Sequence, residues 1–445
     1  MKKLFLLSAL IMLAFTSMAQ EGDSVANSRS LPETIALEKA IDNTRIIGIN
    51  PLTNKPFTPK EDSVRWLISR FYVDQYRHFQ DPKAPYFMFM SRDAKVAMGI
   101  GGVVRMRGWA DWNGSISANG FIPYLIDIPK NPTRKRNLSA TPAGTALYFA
   151  IIGRSSPFGE YMGYIEANFN GYQGLGFKLK KAYVTMGDWT VGYASSSFTD
   201  PAAEPPVIDG AGPNGKLSKS AVLVRYLHSI KNHWMVGGSI EFPNSQVVNT
   251  VTTSTCKDWF PDVVATAQYS WDGGISHLRA AGLLKVMEYR DLISNSNHNV
   301  VGWGAQISGV FKVIDPLRLY AIANVGQGHA SYMGDLSIGQ YDLVGDMEKE
   351  GKMYAPTALG LTFGAKYYFR YNIYAGLALG EMRYYPKDKP AGDEYKYGLY
   401  GAINLFWDIT PRFQVGAEYL AGKRMNFNHA HGNANRVDAL FQMSF

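Results

Sequence analysis

From Val96 onward the chain alternates apolar and polar residues with a period of two, segment after segment, which is the signature of strands with one face in each of two environments. In VAMGIGGVVRMRGW, Val96, Met98, Ile100, Val104 and Met106 share one face while Arg105 and Arg107 point to the other. The same parity sets Leu147, Phe149 and Ile151 against Arg154, and Leu278, Ala280, Leu284 and Val286 against Arg279 and Lys285. Val301, Trp303, Ala305 and Ile307 oppose Gly304, Gln306 and Ser308. The final stretch puts Val437, Ala439, Phe441, Met443 and Phe445 on one side and Arg436, Asp438, Gln442 and Ser444 on the other. The pattern predicts about 16 strands between Val96 and Phe445, an even number, as bacterial single-chain barrels have. Parity slips within FKLKKAYVTM, from Lys178 to Met186, and around Ile373 to Tyr385, where a bulge would restore it.

Connections alternate in length. Gly187-Asp188, Ile314 to Pro316, Tyr371-Asn372 and Ile409 to Arg412 fit periplasmic turns, whereas residues 112–143, 195–219, 243–261, 328–355, 386–395 and 425–434 fit extracellular loops. Trp109, Trp189, Trp234, Trp303 and Trp407 stand near strand ends, as girdle residues do at the two membrane interfaces. The fold class expected is all-β: a transmembrane antiparallel β-barrel, 91–445, preceded by a short helical segment.

The N-terminal residues read differently. Lys2 and Lys3, an apolar run from Leu4 to Phe15 and Ser17-Met18-Ala19 predict a cleaved secretory leader over 1–19, its apolar run being shorter than the ~20 residues of a spanning helix. Residues 20–90 are polar and carry Pro32, Pro51, Pro56 and Pro59, an extended periplasmic arm. Within it, Val64, Leu67, Ile68, Phe71 and Tyr72 recur at helical spacing and predict one amphipathic helix from Ser63 to Phe79.

Composition sharpens this picture. A mean hydropathy of −0.15 with 27 Tyr, 23 Phe and 44 Gly suits a wall with one oily and one wet face. The single Cys256 forms no intrachain disulfide, so a closed sheet has to supply the stability of an exported chain. The net charge of +8 includes Lys2 and Lys3, and the +6 left after their removal is too mild to indicate nucleic acid. His429 and His431 are the only close histidine pair, with no carboxylate or Cys at ligand spacing, and no Gly-x-Ser-x-Gly elbow occurs, so neither a metal or other cofactor nor a catalytic residue is expected.

One long connection stands apart. SSSFTDPAAEPPVIDGAGPNGK, Ser195 to Lys216, holds Pro201, Pro205 and Pro206, which lack ladder donors, and Gly210, Gly212 and Gly215, which favour turns. It falls on the fifth connection, where general porins fold a loop into the pore. With the flanking YA and the strand AVLVRYLH, this stretch, residues 193–228, resembles the DcaP-like outer-membrane porin family. The resemblance implies a sixteen-strand trimeric channel in the bacterial outer membrane that prefers small anions such as dicarboxylates. That family's N-terminal coiled coil is not evident in residues 20–90. The polar parity is rich in base: Arg105, Arg107, Arg154, Lys178, Lys180 and Arg225 lead a set opposed by fewer acids, chiefly Glu160, Glu166, Glu241, Glu418 and Asp438, which would concentrate anions in a pore. Asp200, Glu204 and Asp209 on a loop folded inward would face that basic wall across a narrow gap. The competing reading of the same barrel is an adhesin or a lipid hydrolase. The expected partners are outer-membrane lipid, small anionic solutes and two further copies in a homotrimer.

Overall fold

The computed structural model describes residues 49–50, 55–56, 87–91, 95–114, 116, 120–155, 159–169, 176–230, 233–387 and 390–445. The leader 1–19, most of the arm 20–90 and the helix expected from Ser63 to Phe79 lie outside the described residues.

The two-residue alternation becomes a closed antiparallel barrel of sixteen wall positions, each bonded to its chain neighbours. Its first strands are β1 (Val96–Trp112), β2 in two pieces (Arg136–Thr141 and Ala146–Ser155), β3 (Gly159–Phe169), β4 (Phe177–Met186), β5 (Trp189–Ser195) and β6 (Ser220–Ile230). Then come β7 (Trp234–Glu241), β8 (Asp262–Trp271), β9 (Ser276–Asp291), β10 (Ser296–Ile314) and β11 (Leu317–Gln327). The wall ends with β12 (Thr357–Arg370), β13 (Ile373–Tyr385), β14 (Tyr395–Asp408), β15 (Phe413–Asn426) and β16 (His431–Ser444). Closure joins β16 to β1 from Asn435↔Trp112 to Ser444↔Val103, and a four-residue strand, Phe87–Met90, pairs with Ala97 to Ile100 just beyond. The sixteenth position is therefore shared by the two ends of the described barrel.

Register follows from the two faces, because a one-residue slip would turn every apolar side chain into the lumen. Ile307 is 61% exposed on the outside, whereas Arg436 and Asp438 on the inside are 0% exposed. Trp189, Trp234, Trp303 and Trp407 stand outward as expected; Trp109 does not. Its parity is that of Arg105 and Arg107, so it points into the barrel, buried, with the Arg107 and Arg436 guanidinia 5.3 and 5.0 Å from its ring.

The first suspected parity slip is a register shift, whereas the second, expected around Ile373 to Tyr385, is not on that strand, which pairs with β14 without a shift. Glu166 pairs with Lys181 and Ala167 with Leu179, leaving Lys180 as the extra residue. At the second, the extra residue is Phe369 of the preceding strand β12, between Tyr368 and Arg370, opposite Ile373 and Tyr374. Two further shifts, at Lys312/Ile314 and Tyr395/Tyr397, carry no sequence signal. One connection on the long-loop side, Leu292 to Asn295, is short, because β9 and β10, 16 and 19 residues long, themselves extend past the wall.

Phe445 ends the chain by exchanging main-chain hydrogen bonds with Gly102, N to O at 2.9 Å and O from N at 2.6 Å. Deleting Phe445 removes the last pairing of the closing seam, and the expected result is a several-fold lower yield of heat-modifiable barrel in the outer membrane. Undiminished yield would show that the seam closes without it.

Candidate functional site

The connection from β5 to β6 folds into the barrel. At its root Ser196 N donates to Lys219 O (2.9 Å) and Ser197 N to Glu241 Oε1 (2.8 Å), while Arg279 donates to Ser197 O. Asp200 then meets β9 and β10, with His277 Nε2 at 2.9 Å and Ser308 Oγ at 2.6 Å from its Oδ2. Burial alone would raise its pKa; the hydrogen bond and charge of His277, the charge of Arg279 and the Ser308 hydrogen bond hold it at about 2. Prolines carry the backbone along the wall, where Pro206 O accepts from Asn404 Nδ2 (2.8 Å). At the tip, Ile208 N and Asp209 N donate to the two oxygens of Glu418, at 2.9 and 2.8 Å. Ile208 O accepts from Arg105 (2.8 Å), and Asp209 Oδ1 accepts from Phe121 N (2.8 Å) and lies 3.4 Å from Arg107. The return limb passes Asn324, whose Nδ2 donates to Gly215 O (2.8 Å).

This close path demands inward-facing glycines. A Cβ on Gly364 would sit 2.2 Å from Pro205 Cβ, and one on Gly360 2.5 Å from Gly215 O. Gly360, Gly364, Gly376 and Gly380, of one parity on β12 and β13, are a signal in the sequence that went unread and that marks where the loop lies.

Two further loops enter the same space. Residues 113–135 insert Ile116, Phe121 and Ile126 against Tyr400 and Leu420. Residues 328–356 bury Tyr332, Met333 and Leu336 against Phe198 and Tyr395, and are held by Lys285 and Asp342, 3.1 Å apart and both 0% exposed. Their inward fold was not legible from length alone.

The loop 328–356 is coupled to the pore loop through Asp335, in the helix Gly334–Ile338, which accepts from Asn214 Nδ2 (2.8 Å) and Tyr395 Oη (2.7 Å). Burial raises the Asp335 pKa to about 6, partly offset by those two bonds. A folded value above the unfolded 3.8 means that docking is strongest below about pH 4 and weakens as pH rises through about 6. The loss is up to about 3 kcal/mol. Amide exchange in 328–356 is therefore expected to be faster at pH 7.5 than at pH 4.5 after correction for intrinsic rates, and Asp335→Asn should abolish the difference; an unchanged difference in that variant would assign it to another group.

Beside the pore loop, on the side of β1 to β4, lies a cavity of about 760 Å³. Its wall comes from β16 and β1 to β4, including Arg105, Arg107, Tyr148, Glu166 and Lys180, and its other side from Gly210, Ala211 and Ser218 of the pore loop. Arg105 is partly exposed there, and among the described residues no carboxylate is in ion-pair contact with it. Lys180 pairs with Glu166 at 3.0 Å. Lys178, exposed, stands opposite the cavity-lining Asn168, and Arg154 lies near the turn after β2, paired with Glu160 at 2.8 Å. Arg105, Arg107 and Lys180 line the cavity, whereas Arg154, at the other end of the β1–β2 pairing beside Lys95, does not.

The remaining named residues sit elsewhere. Arg225 is 4% exposed behind the loop root, donating to Ser195 O (3.4 Å). Asp200 and Asp209 are buried in wall contacts, and Glu204 pairs with Lys216 inside the loop at 2.5 Å. The face that the loop turns to the cavity thus contributes Gly210, Ala211 and Ser218 rather than carboxylates. Gly120 and Ile122 of loop 113–135, also on the lining, escaped sequence reasoning.

A family model described as DcaP outer membrane protein matches residues 91–445, all of the barrel but the short strand Phe87–Met90. The chain belongs to this family. The DcaP-family assignment makes it a bacterial outer-membrane protein with the fold of a channel. Among solved structures it is similar to the outer membrane channel DcaP of Acinetobacter baumannii, with 23% identity, TM-score 0.69 and coverage of 80% of this chain and 99% of that one. An anion-selective porin from Comamonas acidovorans (9% identity, TM-score 0.51, 79% and 100% covered) and Salmonella typhi OmpF in complex with daunomycin (10%, 0.51, 80% and 100%) share the fold. Comparison with curated proteins returns no match.

Proposed function

We propose that this DcaP-family barrel is a passive diffusion porin for small hydrophilic solutes that favours anions, dicarboxylates among them. The pore loop forms the constriction against β1 to β4, and three copies assemble after removal of the leader 1–19. The observation that carries the selectivity is the lining of the open cavity, where Arg105, Arg107 and Lys180 stand against one carboxylate, Glu166. Fixed positive charge beside low-dielectric walls raises the local anion concentration and repels cations. Arg105 contributes most, because Arg107 is shared between Asp209 and Asp438 (3.4 and 3.9 Å) and Lys180 is paired. A dicarboxylate would exchange part of its hydration for two such bases. The anion-selective porin from Comamonas acidovorans shares this fold, and the family resemblance supplies the dicarboxylate class.

The test is reversal potential across a salt gradient in planar bilayers. The wild type should favour chloride, and the Arg105→Ala/Lys180→Ala double variant should shift the potential toward the cation side. The shift should shrink at high salt, as the ~10 Å Debye length at 0.1 M contracts. A wild-type channel that favours cations removes the reading. Native mass measurement in mild detergent checks the assembly, and a monomer there would remove the trimer.

A further inference from the structure

The outer wall carries a trench. Through the register of β10 to β16, Gly309, Ala321, Gly401 and Ala421 fall in one lateral row of hydrogen-bonded neighbours, completed by Phe363 and Leu379. The small side chains on either side of Phe363 and Leu379 in that row leave a groove of about 830 Å³ on the outside of the barrel. Strands in such barrels are tilted by roughly 40°, so a row perpendicular to them climbs obliquely across the membrane. This one starts near Leu278, just past the short turn before β9, and ends at Asn433, just inside the long-loop end of β16.

Its lower and middle parts are apolar, with Phe363 and Leu379 on the floor and Leu361 and Leu399 along the edge. The upper end changes character: Lys423 pairs in register with Leu399 on one side and Asn433 on the other, with Asn435 one row below. Glu381, the acid on the trench, is bound to Arg383, and Asn435 accepts from Tyr419 Oη at 3.1 Å. Among the described residues no carboxylate is in ion-pair contact with Lys423, although it stands on the membrane face at the outer-leaflet end. A cation at that depth attracts lipid phosphate, and a narrow apolar groove below it fits a single hydrocarbon chain better than the flank of another barrel.

We propose that the trench is a binding site for a phosphate-bearing lipid of the outer leaflet, with one acyl chain along Gly309 to Ala421 and the phosphate held by Lys423 beside the Asn433 and Asn435 carboxamides. The site is independent of conduction, since all of these side chains lie outside the barrel.

The test adds bisphosphorylated lipid A, or its dephosphorylated form, to delipidated protein in mild detergent, and reads binding by native mass spectrometry. Lys423→Glu removes the cation. Gly401→Leu fills the trench, and the wall tolerates it, because a Cβ there meets only Ala421 O and Leu379 Cδ2 at 3.8 Å. Each variant should bind the phosphorylated lipid about tenfold more weakly or worse, and the wild type should lose a similar factor for the dephosphorylated lipid. Heat-modifiable mobility and single-channel conductance should stay at wild-type values, and should Gly401→Leu not fold, Lys423→Glu and the dephosphorylated lipid decide. Equal binding by wild type and Lys423→Glu, or no discrimination of the phosphate, overturns the proposal. So does a Gly401→Leu variant that changes the number of copies per particle while binding lipid normally, since the trench would then face a second copy.

Discussion

Deleting Pro201 to Asn214 is expected to raise single-channel conductance at least about twofold while leaving the barrel assembled. The excised residues are those that cross the lumen between the retained Asp200, held at β9, and the retained Gly215 on the return limb, passing β1 at Ile208. Removing them leaves Glu418 and Asn404 without loop partners. In a soluble core that would cost about 1–3 kcal/mol for each unsatisfied group, but here water enters the vacated lumen and hydrates them. The barrel ladders do not pass through the loop, so the wall persists. Selectivity should change in the same experiment, because Arg107 loses Asp209 while Glu418 becomes accessible to ions. Unchanged conductance in bilayers would place the conducting path somewhere other than beside the loop.

Arg436→Leu is expected to be the most destabilising single substitution, by about 3–5 kcal/mol. Arg436 grips Asp111 with two nitrogens, at 2.6 and 3.2 Å, and both side chains are 0% exposed. Its guanidinium also lies 5.0 Å from the Trp109 ring and 5.6 Å from the Phe121 ring, so one side chain ties β16 to β1 across the closing seam and fixes the inserted loop 113–135. Leucine leaves Asp111 buried without its cation. The temperature at which the barrel loses its compact mobility in detergent should fall well below wild type, and adding Asp111→Asn should recover part of the loss. A variant as heat-resistant as wild type would mean that water reaches Asp111 and that the pair is worth little.

Much of the wall was legible because a β-barrel is written locally. Each strand decides its inward and outward side chains from its own alternation, as Leu278 and Arg279 or Phe441 and Gln442 do, and strand neighbours follow chain order. The bulge at Lys180 could be seen because it breaks that alternation, whereas the shift at Lys312/Ile314 accommodates its residue near a strand end and leaves no trace. Trp109 was misassigned by composition although its parity was correct, since an indole suits an interface and equally suits a seat between two guanidinia. The basic residues were placed on the proper face, but face alone does not separate Arg105 on the open cavity from Arg225 behind the loop root.

The sequence by itself thus determined the barrel, its strand number and its faces, and marked Ser195 to Lys216 as a loop, because period-two patterning and proline-glycine chemistry act over a few residues; that this loop enters the barrel was decided by the tertiary structure. Only the tertiary structure decided which bases meet solvent and which are consumed in holding loops. Glu418 is 209 residues from the amide of Asp209 that it accepts, and Arg436 is 325 residues from Asp111. Contacts at such separations exist only once the barrel has closed, so the grouping of Arg105, Arg107 and Lys180 on one cavity is a property of what the inserted loops leave uncovered.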